Sequence, residues 1–388
     1  MASSLDILNA IRDVAGAEYQ ARIPEATREN IASVGNTVLS YQAHTNLFLT
    51  ELINRIGRVV IDRMDSMEDI YSAFKDERLD FGDTIQKIFI DIPSANAFEG
   101  TNTLNPSSML AIDKGVIHVE YTSVDRRLFY KRTISVAELK EAFTTVAKLD
   151  EFIMAIIETM STALGLDKYV MVTNTLATHC KYVLRVIEGN ATPKVRALVV
   201  PSSVAKYNNT SKEIEWSVTG AKAFLKMLRV LSGSLKFYHE LGYEAYDVEN
   251  DELPTGATLK SIQAQRTPVS QQVLALELSS LAEIDVEALA VLFNLEKADI
   301  RTRIIELEDG ALGDVTAELV SGSEKTYHLG GFLCHKDGVV RGTSFEEQDS
   351  FKNPEHQYVN MWQHYWGYMA VSKFKDFVPI IFEGYTPA

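Results

Sequence analysis

His239-Glu240-Leu-Gly-Tyr243 begins like the helix of a zinc hydrolase, where two histidines four residues apart hold the metal and the glutamate activates water. Tyr243 stands where the second histidine must be, so one ligand is missing. The stretch DVENDELPTGAT puts Asp247, Glu249 and Asp251 at the first, third and fifth positions of a calcium loop. Glu252 then occupies the place of the turn glycine and Thr258 that of the bidentate glutamate, which leaves a solvated acidic loop. Gly220-Ala-Lys222 lacks the upstream glycine and the Gly-Lys-Ser/Thr ending that cradle phosphates, and no Gly-x-Ser-x-Gly elbow occurs. His179-Cys180 and Cys334-His335 offer four zinc-ligand side chains. Adjacent residues rarely aim at one ion, so two core thiols are the expectation. No catalytic, cofactor-binding or metal-binding residue is assigned, no cofactor is implied, and the chain is not expected to be an enzyme.

Two clusters remain. Arg126, Arg127, Lys131 and Arg132 are the densest basic group, expected to form a charged strand face or to pair with acids of another subunit. The stretch YVNMWQHYWGYMAVSKF at 358–374 gathers Trp362, His364 and Trp366 among tyrosines. There His364 is expected to be structural, one member of a packed aromatic face. Arg126, Arg127, Lys131, Arg132, Trp362, His364 and Trp366 are therefore the candidate assembly contacts.

Composition narrows the class. The chain has 388 residues, 46% hydrophobic and 23% charged, enough for a sizeable core. Lys and Arg total 38 against 53 Asp and Glu, a net charge of −15. A protein that grips nucleic acid by its phosphates carries a basic footprint, so sequence-specific DNA or RNA binding is not expected. Two cysteines far apart suit a reducing cytosol. The start MASSLDILNAIRDVAG is no secretory signal, and apolar runs such as FIMAII and FVPIIF fall far short of the roughly 20 residues that span a bilayer. Neither a membrane nor export is expected.

The elements that must carry these residues can be read from periodicity. Helical spacing runs through Leu5, Leu8 and Ile11, then through Ile31, Val34, Val38 and Tyr41, then through Phe48, Leu52 and Ile56. GRVVI (57–61) reads as a strand. TIQKIFIDI alternates Ile85, Lys87, Phe89 and Asp91 against Gln86, Ile88 and Ile90 and leads into the polar segment SANAFEGTNTLNPSS, after which GVIHVEYTSV and RRLFYKRTI return as strands. That describes a projecting hairpin, which is marginal in water unless it lies on something. Ser135 and Glu138 spell a capping box. Phe152, Ile153, Ile156, Ile157, Met160 and Leu164 open an apolar stripe that continues past Gly165 to about Val186, a spine helix if unbroken. Beyond GNATP (189–193) the pattern is α/β, with strands at VRALVV, VLALEL, IIEL and FLCHK and helices at SVTGAKAFLKMLRVLSG and DVEALAVLFNL; GDVTAELV is a further strand candidate. The aromatic stretch fits a helix through Trp362, Tyr365, Trp366 and Met369, and equally one strand face through Tyr358, Asn360, Trp362, His364, Trp366 and Tyr368. DFVPIIFEG follows. Striped helices, a projecting hairpin and an aromatic-rich end suggest a subunit completed by its neighbours.

The residues also resemble a family. AIR (10–12), Pro24, Ala26, Thr27, Asn30, Val34 and Gly35 open the match, and Arg55, Ile56, Gly57, Val59, Val60 and Ile61 continue it. Gly82, Thr84, Ile85, Ile88, Asp91, Ile92 and the FY--TI of 129–134 follow. Asp285, Val286, Leu289, Ala290, Phe293, Asn294, Asp309 and Gly310 come next; Asn353, Pro354, Tyr358, Asn360, His364, Trp366, Val371, Ser372 and Phe374 end it. In order and spacing these resemble the major capsid proteins of small tailed phages of the phi-29 group, although 193–270 matches poorly. The resemblance implies an α+β chain with the Hong Kong 97-like capsid fold. It implies an N-terminal arm at 1–60, an E-loop β-hairpin at 61–134, a peripheral P-domain at 135–189 and 345–388 with the spine helix, and an axial A-domain at 190–344. In that layout 358–374 is a long strand whose aromatics pack on the spine helix or on a neighbouring copy. Some relatives carry an immunoglobulin-like C-terminal domain, which this sequence, ending at Ala388, is expected to lack; no match licenses a Lys–Asn crosslink.

The implied function is structural: a major capsid subunit self-assembling into an icosahedral or prolate phage head around double-stranded DNA. The implied partners are other copies in hexamers and pentamers, scaffolding and portal proteins, and the packaged DNA, met non-specifically. The virion capsid is the implied location, with assembly in the host bacterial cytoplasm. Two rivals stand beside it: an encapsulin-like nanocompartment shell with the same fold, and a cytosolic hydrolase with an unrecognised site.

Overall fold

A computed structural model of the chain describes residues 4–40, 43–49, 52, 70–74, 76–79, 82, 84–93, 115–188, 194–246, 257–284, 304–319, 324–353, 355 and 358–385. The strand expected at 57–61, most of the hairpin tip, the acidic loop from Asp247, GNATP and the helix expected from Asp285 lie outside the described residues.

The organising element is one unbroken helix, Val146–Glu188, of 43 residues. At 1.5 Å per residue it is about 65 Å long. Its apolar stripe runs through Leu149, Ile153, Ile156, Ile157, Met160 and Leu164, resumes after Gly165 at Met171 and Val172, and ends at Val186. Just before it, the short helix Val136–Ala142 starts as the sequence requires: Glu138 N–H donates to Ser135 Oγ (3.1 Å) and Ser135 N–H donates back to the Glu138 carboxylate (3.2 Å).

The strands, in chain order, are β1 (Asp76–Arg78), β2 (Thr84–Ile90), β3 (Ile117–Ser123), β4 (Arg126–Ser135), β5 (Leu198–Val200), β6 (Ala205–Asn208), β7 (Glu213–Trp216), β8 (His239–Tyr246), β9 (Ala257–Gln265), β10 (Gln272–Glu277), β11 (Ile304–Leu307), β12 (Asp314–Ala317), β13 (Lys325–His335), β14 (Val339–Asn353), β15 (Tyr358–Val371) and β16 (Phe377–Tyr385). Among the described residues they form a four-stranded sheet ordered β1-β14-β15-β4 and an eight-stranded sheet built on β11-β10-β13-β16-β6-β7, with β12 on β13 and β5 on β16. Two hairpins, β2–β3 and β8–β9, stand apart as two-stranded ribbons. The sequence pattern gives no hint of β6–β7, of β8–β9 or of the 15-residue β14.

The long helix covers one face of both sheets. Its first half, with Val359, Met361 and Tyr365 of β15, forms one core. Its second half, with Met171, Leu176, Cys180 and Leu184, packs on Val273, Leu329, Phe332 and Ile381 in the next. On the other side of the eight-stranded sheet, the amphipathic helix Gly220–Leu235 seats Phe224, Leu228 and Leu235 against Leu274, Leu333, Val378 and Phe382. Here both faces of the sheet are covered, so β10 is buried at every residue, the mark of a doubly covered strand.

The N-terminal helices differ from expectation. Leu8, Ile11, Tyr19, Ile31, Val34, Val38, Phe48 and Leu52 are buried within the chain, against Phe143 and Ile153–Leu164. Their apolar stripes are satisfied at home, not held open for a neighbour. Close approach explains part of this: a Cβ on Gly35 would lie 2.6 Å from Phe143.

Candidate assembly surfaces

Alternation along β2 and β3 gives the hairpin two unlike faces. Thr84 pairs with Ser123 and Ile90 with Ile117, so Ile85, Lys87, Phe89, His118, Glu120 and Thr122 share one face. That face is seated on the body of the same chain. Phe89 packs beside Tyr243, Ile262 and Phe374. The buried His118 lies edge-on to Tyr243 and Phe374, with Nδ1 2.6 Å from the Tyr243 hydroxyl and Nε2 3.2 Å from Asp91. Glu120 accepts from Ser372 Oγ (2.6 Å) and from Lys373 N–H (2.9 Å).

The opposite face is left open among the described residues. Ile88 (58% exposed), Ile90 (58%), Ile117 (62%), Val119 (38%) and Tyr121 (68%) form two adjoining rows, with the exposed Ile92 next in line. The alternation of 85–91 was visible in the sequence; only the fold shows which face the chain itself fills.

The second surface is the face of the four-stranded sheet turned away from the long helix. The 358–374 stretch is strand β15, so the period-2 alternative holds over the helical one. Val359, Met361, Tyr365, Met369 and Val371 enter the cores under the helix, which puts Trp362, His364 and Trp366 on the other side, half-buried. Cross-strand register sets Trp362 opposite Lys131, His364 opposite Phe129 and Trp366 opposite Arg127. The Lys131 ammonium lies 5.7 Å from the Trp362 ring and the Arg127 guanidinium 4.8 Å from Trp366, contacts worth roughly 0.5–1 kcal/mol each at exposed sites. The Phe345 ring lies beside Trp366, tilted, with centroids 4.6 Å apart. Phe129, Asp349, Ser350, Phe351, Trp362 and His364 line a shallow groove of about 370 Å³, with His364 Nε2 3.7 Å from Asp349. Phe129 and Phe351 are each about three-fifths exposed, and periodicity had not singled out either.

Five of the seven candidate contacts thus share a face, and two do not. Arg126 lines a groove with Thr175, Thr178, His179 and Tyr182 of the long helix, and Arg132 one with Glu138, Glu141 and Phe152. Strand parity separates them: β4 sends 127, 129 and 131 one way and 126, 130 and 132 the other. On the helix side the Tyr130 hydroxyl donates to Asp167, and burial first, then this carboxylate, pushes the phenol pKa up.

The other sequence candidates are dispersed. Cys180 and Cys334 are fully buried in one core, where burial raises both thiol pKa values far above the free one. Their neighbours turn elsewhere, His179 edge-on to Phe377 and His335 to Gln271. His239 binds Asp376 at 2.7 Å, and Tyr243 packs under the hairpin, so the two lie in a strand and hold structure. Among the described residues no group of three His, Cys, Asp or Glu side chains is arranged to hold a metal ion. Nor is any described helix long and apolar enough to cross a membrane.

A long helix under two sheets, a separate two-stranded hairpin and an α/β layer define a class. The chain superimposes on the structure described as the capsid of Staphylococcus phage Andhra with a TM-score of 0.50 at 13% identity, covering 80% of this chain and 83% of that one. The architecture is the Hong Kong 97-like α+β fold of phage capsid proteins. Sequence comparison is more particular. Residues 8–381 match the model of the Phi29-like phage major capsid proteins, and the chain belongs to that family. It is 25% identical over 377 residues to the major capsid protein of Streptococcus phage Cp-1, covering 96% of this chain and 93% of that one. It is 26% identical over 390 aligned positions to that of Bacillus phage PZA, covering 99% and 74%. The protein is a structural subunit of a phage capsid, where copies of it assemble into the shell.

Proposed function

We propose that the subunit builds the wall of an icosahedral or prolate head that encloses double-stranded DNA, by laying the bare face of its β2–β3 hairpin across a neighbouring copy. The observation that carries this is the double row Ile88, Ile90, Ile117, Val119 and Tyr121, apolar and exposed on a ribbon whose other face is already occupied. A patch of that kind is a liability on a lone molecule and an interface in an assembly. The aromatic face of β4, β15 and β14 is the matching bed: Phe129, Phe351, Trp362 and Trp366 supply apolar area around His364, with Arg127 and Lys131 on the outer strand. A hairpin on one copy and a sheet on the next make a head-to-tail contact, which closes into rings.

In this reading residues 61–134 act as the E-loop, 1–60 as the N-terminal arm, 135–189 and 345–388 as the P-domain, and 190–344 as the A-domain around ring centres. The activity is assembly, and no chemical step is assigned to any side chain. With a net charge of −15 the wall repels DNA overall, which suits a genome that must slide in and out. Scaffolding and portal proteins are the further partners, and the host bacterial cytoplasm is the place of assembly. Deleting residues 93–108 tests the hairpin's part. A soluble chain that forms few or aberrant shells on electron micrographs is expected, and normal shells would overturn the assignment. DNA recovered from particles made during infection tests the cargo, and a protein cargo in its place would favour the nanocompartment alternative.

A further inference from the structure

A neutral imidazole has one N–H and one lone pair, so it satisfies one acceptor and one donor. His335 sits where that suffices. Its Nδ1 accepts from Asp337 N–H at 3.0 Å, leaving Nε2–H for Gln271 Oε1 at 2.8 Å. His328 does not. Its Nδ1 lies 2.7 Å from Asp314 Oδ1, and its Nε2 lies 2.9 Å from both carboxylate oxygens of Glu277. Ionised carboxylates only accept, so both ring nitrogens must donate. The trio therefore holds one proton more than a neutral imidazole with two carboxylates.

The surroundings make that proton costly to lose. His328 and Glu277 are all but fully buried, and Asp314 is one-third exposed. Tyr207 of β6 stacks on the imidazole at 3.8 Å, Lys212 stands 3.5 Å from the outer oxygen of Asp314, and Gly310 N–H donates to Glu277 Oε1 at 2.8 Å. These groups come from β6 and the turn after it, β10, the turn at 309–313, β12 and β13. Of these, β12 is the weakest: four residues at a sheet edge, paired with β13 alone among the described residues. We propose that His328, clamped as an imidazolium between Glu277 and Asp314, is a pH-sensitive latch that holds β12 and the 309–313 turn on the eight-stranded sheet and opens as pH rises. Loss of the proton leaves a ring-nitrogen lone pair facing one of the two carboxylates, which repels it where before it was bound.

Burial alone lowers the pKa of His328, but Glu277 and then Asp314 outweigh it, and the net shift is upward. A group whose folded pKa lies above its unfolded value stabilises fully below the unfolded value, near 6.5, and loses that contribution as pH climbs through the folded value. Within that window the equilibrium for closing the latch falls about tenfold per pH unit.

Hydrogen–deuterium exchange on assembled shells of the full chain, from pH 6 to pH 9, reads this directly. After division by the intrinsic rate, the opening constant of peptides covering 309–317 is expected to rise about tenfold per unit within the window and then level off. Glu277→Gln presents an amide N–H to Nε2, so a neutral ring suffices and the profile becomes flat. Asp314→Asn does the same from the other side and serves if the buried substitution blocks assembly. His239 repeats the arrangement between Asp376 and the Phe237 carbonyl, so the difference between variant and parent isolates His328. A flat profile in the parent, or an unchanged slope in both variants, overturns the latch.

Discussion

Replacing Ile88 and Ile117 together by serine tests the hairpin contact most sharply. Both lie on the bare face of the ribbon, 58% and 62% exposed on the subunit. Burying an isoleucine completely is worth about 1.5–3 kcal/mol, so covering the remaining exposed part of each yields about 1–2 kcal/mol. The double variant should therefore lose about 2–4 kcal/mol per hairpin contact, a factor of roughly 30 to 700 in that contact's equilibrium constant. The isolated subunit should barely notice, because surface substitutions on an exposed strand shift stability by about 0.5 kcal/mol or less. Two measurements separate these effects. Light scattering across a concentration series gives the threshold for shell formation, expected to rise steeply. Thermal melting of the unassembled subunit gives its own stability, expected to be near that of the parent. An unchanged threshold refutes the reasoning, and so does a melt that falls in step with assembly, since the ribbon face would then belong to the fold.

Other outcomes follow from single contacts. Ser135→Ala breaks a reciprocal cap at the entry to the long-helix region and should lower subunit stability by about 1 kcal/mol in a denaturant melt. Gly331→Ala would put a Cβ 2.2 Å from the Ala275 carbonyl oxygen on the neighbouring strand, so a loss of at least about 3 kcal/mol is expected; a melt within about 1 kcal/mol of the parent would show that β10 and β13 can spread. Glu120→Ala removes the acceptor of two bonds from Ser372 and Lys373. It should unseat the hairpin from its own body, seen as faster proteolysis between 84 and 123 while the main melting transition stays put.

The sequence showed some of this for identifiable reasons. The capping box and the long apolar stripe depend on neighbours three or four residues away, so they are legible locally, and both are found. Residues 358–374 satisfy two periods at once because Trp362 and Trp366 belong both to the helical set with Tyr365 and Met369 and to the alternating set from Tyr358 to Tyr368; the two flanking partners, β14 and β4, decide for the strand. The hairpins β6–β7 and β8–β9 went unseen because their sequences are polar and interrupted, and their pairing is fixed by turns and by the body beneath. For the basic cluster, sequence adjacency was the wrong measure. Arg126 and Arg127 are neighbours in the chain and lie on opposite faces of a strand, whereas Arg127 and Trp366 are 239 positions apart and in contact. The N-terminal stripes were readable, but not their destination, which depends on Phe143 and the long helix lying within reach.

From 325 to 385 the chain runs as two long strand pairs, β13 into β14 with only residues 336–338 between, and β15 back into β16 with 372–376 between. The same ribbon therefore passes through both sheets, bonded along its length and backed by the 43-residue helix. Mechanically the described part of that ribbon is a girder, with register shifts at 329–331 and 343–345. Wherever the curved wall tightens or flattens, the bend has to be taken up at the seams between girders. Copies imaged at differently curved places should superimpose over 325–385 while the angle to the next copy changes.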